Sequence, residues 1–216
     1  IPIPRQRKPT TMIPKRAQEI TPFLVMDVLE RAHEMEREGI DVIHLEVGEP
    51  DFDTPPAIVR AGIHSLETGE THYTSNSGIF ELRVALANHL ERLYGLDYDP
   101  ETELLITVGV SEALHLALAA TVDYGDEAIV PEPCFVSYNP EVVFAGGVPK
   151  NIHTSVEDDF QVLAPQVEAV LTAKTKALLL GYPNNPTGQV ATKEFYERVV
   201  EFAIENEIVI ISDAAY

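Results

Sequence analysis

Short, almost wholly apolar runs recur at residues 104–108, 128–130, 177–180 and 208–211, and the segments between them carry apolar residues at helical spacing. A strand that is apolar on both sides needs cover on both sides. Such strands alternating with helices predict a parallel sheet between two helical layers. The expected fold class is α/β, a three-layer α/β/α arrangement with a mostly parallel sheet. Helices are expected at 23–38, closed by Gly39, at 56–66, with a proline near its start, and at 79–94, ended by Gly95. The segment 111–122 is apolar nearly all round, which predicts a buried helix. Another helix closes at 142–145. The last is capped by Thr192 and turns Phe195, Val199, Phe202 and Ala203 inward. Residues 42–47 predict a further short strand ahead of the turn Gly48-Glu49-Pro50-Asp51.

In open parallel sheets, ligands bind beyond the carboxyl ends of the strands. Gly109-Val110-Ser111 follows the first run and opens a helix, whose free N–H groups suit a phosphate. A plain helix cap by Ser111 is the alternative. Pro183-Asn184-Asn185-Pro186-Thr187-Gly188 follows the third run. Pro186 keeps Asn185 out of helical backbone angles, so Asn185 is held at a strand end with a donor to offer, unless the segment is only a turn. Asp213 follows the fourth run. A carboxylate drawn out of water there needs a cationic partner, such as a protonated ring nitrogen, whereas a solvated aspartate would merely cap a turn. Phe135 lies in the loop after the second run and either stacks on a planar ring or joins the core. Its neighbour Cys134 is expected to pack rather than react.

Charge and length narrow the classes of function. The 216 residues carry a net charge of -20, which repels phosphate backbones and anionic lipid, so neither nucleic acid nor membrane is an expected partner. No apolar run approaches the length of a membrane span. The single cysteine excludes an internal disulfide and suits a reducing cytoplasm. Histidines and acids show no ligand spacing, so no metal is expected. Five of the 15 basic residues fall in the first 16 positions, which hold no acid and four prolines; residues 1–16 are expected to form an extended arm.

Several motifs then agree in order and spacing: Val47-Gly48-Glu49-Pro50-Asp51-Phe52, Tyr73-Thr74 with Gly78 and Leu82-Arg83, Gly109-Val110-Ser111-Glu112-Ala113-Leu114, Gly125-Asp126-Glu127, Asn184-Asn185-Pro186-Thr187-Gly188, and Ser212-Asp213 with Tyr216. On these the chain resembles the class I and II aminotransferases of fold type I, over residues 20–216. The resemblance implies pyridoxal 5'-phosphate as cofactor and amino-group transfer between an L-amino acid and a 2-oxo acid. It implies that Asp213 pairs with the ring nitrogen, that Asn185 and Tyr216 hydrogen-bond the phenolic oxygen, that Phe135 stacks on the ring, and that Val110 and Ser111 bind the phosphate. Gly48 and Asn185 would meet the substrate. Tyr73 would reach the phosphate of a neighbouring subunit's cofactor, which implies a homodimer. Residues 17–60 would belong to a small domain and 61–216 to the large cofactor-binding domain.

The chain departs from the family at Ala214, where a glutamate is usual. The lysine that anchors the cofactor in the family has its position beyond Tyr216, so residues 1–216 alone are expected to be inactive. Lys150, Lys174 and Lys176 are expected before strands and Lys193 at a helix start, none at a strand's carboxyl end. Two competing readings stay open. One is an enzyme of the same fold with other chemistry, a carbon–sulfur lyase or a cyclopropane-forming synthase. The other is a truncated protein that binds a ligand without catalysis.

Overall fold

The run at 177–180 becomes the hub of one parallel sheet. In chain order the strands are β1 (Glu127–Glu132), β2 (Val148–His153), β3 (Thr175–Gly181) and β4 (Val209–Asp213). They lie in the order β2-β1-β3-β4, every pair parallel. Side chains of a strand alternate between faces. Ala177 and Leu179 therefore enter one apolar cluster with Ala128 and Val130, while Leu178 and Leu180 enter the opposite cluster with Ile129. Two faces to bury call for two layers of helices. Helices α5 (Gly109–Thr121) and α6 (Tyr138–Phe144) supply Leu114, Leu118, Tyr138 and Val142 to the first; α7 (Ala164–Val170) and α8 (Lys193–Glu205) supply Val167 and Phe195 to the second. Fully burying one such aliphatic side chain contributes about 1.5–3 kcal/mol. The result is the expected three-layer α/β/α arrangement.

This computed structural model describes residues 13–20 and 23–216. The described residues divide into two compact units, one of Val108–Tyr216 with residues 13–20, the other of Phe23–Thr107. Most of the expected arm lies outside the described residues; Lys15 and Arg16 open a short helix, α1 (Lys15–Glu19), with Lys15 and Glu19 paired at 3.2 Å. Phe23–Thr107 holds α2 (Leu24–Arg37), α3 (Pro56–Glu67) and α4 (Phe80–Tyr94). Gly95 ends α4 in the left-handed region, φ 67°, where a side chain would be strained.

Several expectations need correction. Residues 42–47 and 104–108 form no strand, because an apolar run becomes a strand only when a neighbour completes its hydrogen-bond ladder; the Ile106 amide donates to the Ser77 carbonyl, outside any ladder. The run at 208–211 does form a strand, but a half-open one: Val209 is 44% exposed, and among the described residues β4 pairs with β3 alone. Helix α5 is not buried all round. Leu114 and Leu118 face the sheet while Leu116 is 41% exposed, as a helix on a sheet buries one stripe. Lys150 lies within β2, not before it. Its ammonium pairs with Glu127 at 3.1 Å, and Thr172 donates to the same carboxylate at 2.5 Å. Burial pushes the Glu127 carboxyl up, but Thr172 and Lys150 outweigh it and leave the group below its ordinary range. The predicted Thr192 cap is present, its hydroxyl accepting from the Phe195 amide at 3.1 Å.

In the second unit His44 lies between two carboxylates. Its Nδ1 is 2.5 Å from Glu46 and its Nε2 is 3.0 Å from Glu36 of α2. Only the protonated ring can donate to both carboxylates at once. The hydrogen bonds to Glu46 and then Glu36 raise its pKa above the ordinary value. A raised value means that this contribution to stability is complete below about pH 6.5 and is lost as the pH rises through the folded-state pKa. Nuclear magnetic resonance titration of His44 should give a midpoint above 6.5 that falls back in Glu46→Gln. An unshifted midpoint in the unaltered protein contradicts the pairing.

Candidate active site

Strands β3 and β4 end side by side, with Gly181 in register with Asp213. The Asp213 carboxylate is held from two directions. The Tyr138 hydroxyl donates to its Oδ2 at 2.9 Å, and the Ala215 amide donates to its Oδ1 at 3.2 Å. Tyr138 opens α6 and is 3% exposed. Burial above all, and then the bond to Asp213, lifts the phenol above its ordinary range, so Tyr138 remains a donor at any working pH. Gly181 makes room for it: a Cβ there would lie 2.4 Å from the Tyr138 oxygen. Phe135 meets the Tyr138 ring edge-on, at 5.9 Å between centroids.

A hollow of about 130 Å³ opens at this sheet edge, bounded by Val110, Phe135, Asn185, Asp213 and Tyr216. Five residues named from the sequence are thus brought together from α5, from the end of β4 and from the segments after β1, β3 and β4. At that volume the hollow is smaller than the roughly 300–1,000 Å³ of a ligand pocket. Its scaffold is Asn184, not Asn185. The Asn184 side chain accepts from the Thr187 amide at 3.1 Å and its hydroxyl at 2.9 Å, and donates to the Pro133 carbonyl at 3.3 Å. That leaves Asn185 at the hollow's rim.

Ser111 is a correction. It is the third residue of α5, not its cap, and does not line the hollow; the cap position belongs to Val108, whose amide donates to the Glu112 side chain. A glycine with φ +74° at position 109 starts the helix two residues early. The Val110 and Ser111 amides still belong to the first four of a helix, which have no acceptor within it. Gly48 and Tyr73 lie in the second unit, both exposed, Tyr73 on a shallow hollow with Thr74, Ser75 and Arg83. Cys134 packs against the core as expected; burial, then the Glu132 charge, pushes its thiol up to about 12. Tyr138 was not foreseen. The only signal was a tyrosine three residues after Phe135.

The profile of the family "Aminotransferase class I and II" matches residues 40–216. The chain belongs to the class I and II aminotransferase family. An aromatic-amino-acid aminotransferase of Thermococcus litoralis is 42% identical over 180 residues, 83% of this chain and 46% of its own length. An aspartate aminotransferase of a Bacillus species is 38% identical over 205 residues, 95% of this chain and 52% of its own. The solved aspartate aminotransferase of Thermotoga maritima superposes with a TM-score of 0.88 at 39% identity, over 93% of this chain and 53% of that one. The chain therefore spans about half the length of the relatives it matches, and its parallel sheet and flanking helices match the corresponding portion of that aminotransferase fold. Among the described residues no helix is long and apolar enough to cross a membrane.

Proposed function

We propose that this family member transfers an amino group between an L-amino acid and a 2-oxo acid with pyridoxal phosphate, and that the hollow beside Asp213 is its cofactor site. The observation that carries the reading is the Asp213 carboxylate, fixed by Tyr138 and Ala215 beside an aromatic ring and a helix start. The donor set fits the group. Asp213 would hold a protonated ring nitrogen, Phe135 would cover the ring, and Asn185 and Tyr216 would meet its phenolic oxygen. The amides of Val110 and Ser111, at the positive end of α5, would hold the phosphate. When bound, the cofactor draws electrons from the bonds at the amino acid's α-carbon. The residues described here bind and orient it; Asp213 keeps a proton at the ring nitrogen.

Gly48 and Asn185 would meet the substrate carboxylate, and Tyr73 would serve a second subunit's phosphate in a homodimer. The relatives' names, aspartate and aromatic-amino-acid aminotransferase, support an amino-acid substrate without selecting one. A lone thiol in a protein of this kind suits the cytoplasm. The amine that anchors the cofactor would come from outside residues 1–216. Of the described lysines, Lys150 pairs with Glu127, Lys174 and Lys176 stand at the start of β3, and Lys193 pairs with Glu197 at 3.5 Å. None borders the hollow. The test is an assay of the complete protein for transfer from aspartate, alanine and aromatic amino acids to 2-oxoglutarate. Transfer that depends on added pyridoxal phosphate, and is missing from residues 1–216 alone, is the expected result. Transfer without the cofactor, or by residues 1–216 alone, contradicts it.

A further inference from the structure

We propose that Glu132 is a positioning residue whose carboxylate sets the posture of the loop carrying Phe135 and Tyr138. The inference rests on the site reading above. Glu132 is the last residue of β1, one position before that loop. Its side chain reaches over the loop to the far end: Oε1 accepts from Asn139, the residue after Tyr138, at 2.8 Å. The same oxygen accepts from Asn151 of β2 at 2.5 Å, and Oε2 is 3.1 Å from Nδ1 of His153. The Glu132 carbonyl accepts from the amide and the hydroxyl of Thr154, both at 2.7 Å. One residue thus closes residues 132–139 into a ring and fastens that ring to the edge strand.

Two details separate this cluster from ordinary packing. Asn139 and Asn151 each leave Oδ1 buried with no partner among the described residues. Both amides are turned to aim an N–H at one oxygen, and each leaves an acceptor unsatisfied to do so. Buried acceptors without partners are rare in folded proteins, and each asks for a reason. A pair of apolar residues would close the same space without them. A carboxylate, moreover, offers lone pairs enough to gather donors from α6 and β2 at once. The loop held in this way places Phe135 on the hollow and Tyr138 on Asp213.

The test uses the complete protein, with and without pyridoxal phosphate. Equilibrium titration of the cofactor and the resonance of ¹³Cζ-labelled Tyr138, assigned with Tyr138→Phe, are read for the unaltered protein, Glu132→Ala and Glu132→Gln. The alanine variant is expected to bind the cofactor at least tenfold more weakly and to move the Tyr138 resonance before any cofactor is added. Glutamine keeps an oxygen for Asn139 and Asn151 and should restore affinity to within about threefold. Should Glu132→Ala fail to fold, Asn139→Leu removes one arm of the clamp and should move the same two readings. An unchanged affinity and resonance in the alanine variant overturns the proposal, and so does a glutamine variant as impaired as alanine. If the unaltered protein does not bind the cofactor, the site reading fails. The Tyr138 resonance then still decides whether Glu132 sets the loop.

Discussion

Replacing Asp213 with alanine in the complete protein is expected to lower amino-group transfer by about 10²–10³-fold, the range for removing one preorganised electrostatic group from an active site. Two effects contribute. The first is loss of the charge that would hold a proton on the cofactor's ring nitrogen. The second is structural: the Tyr138 hydroxyl, buried and bonded to Oδ2, would lose its acceptor. A buried donor left unpaired costs about 1–3 kcal/mol. Asparagine separates the two. It keeps the shape and an oxygen for Tyr138 but carries no charge, so Asp213→Asn should lose transfer as fully as alanine while unfolding within about 1 kcal/mol of the parent. Steady-state rates and urea denaturation curves of both variants check this. Near-parental transfer by Asp213→Asn would show that the charge is not what the site uses.

Gly181→Ala is the second change with a large expected effect. The added Cβ would sit 2.4 Å from the Tyr138 oxygen but 3.4 Å from its Cζ, so the clash is with the hydroxyl alone. Neither side can yield easily. Gly181 is held in the ladder with β4, and Tyr138 is packed among α5, β1 and β3 residues. Overpacking of this kind costs about 1–3 kcal/mol, and the cheapest escape pulls Tyr138 off Asp213. Cofactor affinity should therefore fall together with stability. Adding Tyr138→Phe to Gly181→Ala removes the clashing oxygen and should recover much of the lost stability, a positive coupling between contacting residues. Gly181→Ala as stable as the parent, or a double variant no better than the single, would contradict this packing.

Legibility followed burial. The runs that became β1 and β3 are apolar on both faces because both faces are covered, and that pattern was readable. β2 was not. Its residues Val148-Pro149-Lys150-Asn151-Ile152-His153 bury only Ile152 deeply, and an edge strand can carry a proline and charges that a central strand cannot. The runs at 42–47 and 104–108 misled for the opposite reason: their composition suits a strand, yet strand formation depends on a partner that composition does not report. That Phe135, Asn185 and Asp213 meet at one hollow was legible because each lies at or just after a strand's carboxyl end. Tyr138 was not, because its acceptor lies 75 positions away and only the fold brings the two together. The helix start at Gly109 likewise turned on a backbone angle, which moved Ser111 off the wall.

We propose that Asp213 faces the ring nitrogen of pyridoxal phosphate. That placement is tested most directly by nitrogen resonance of the complete protein loaded with cofactor labelled with ¹⁵N in the ring. The expected result is a protonated, pyridinium-like nitrogen in the parent that becomes a neutral pyridine nitrogen in Asp213→Asn. A neutral ring nitrogen in the parent, or one that the substitution leaves unmoved, would contradict it.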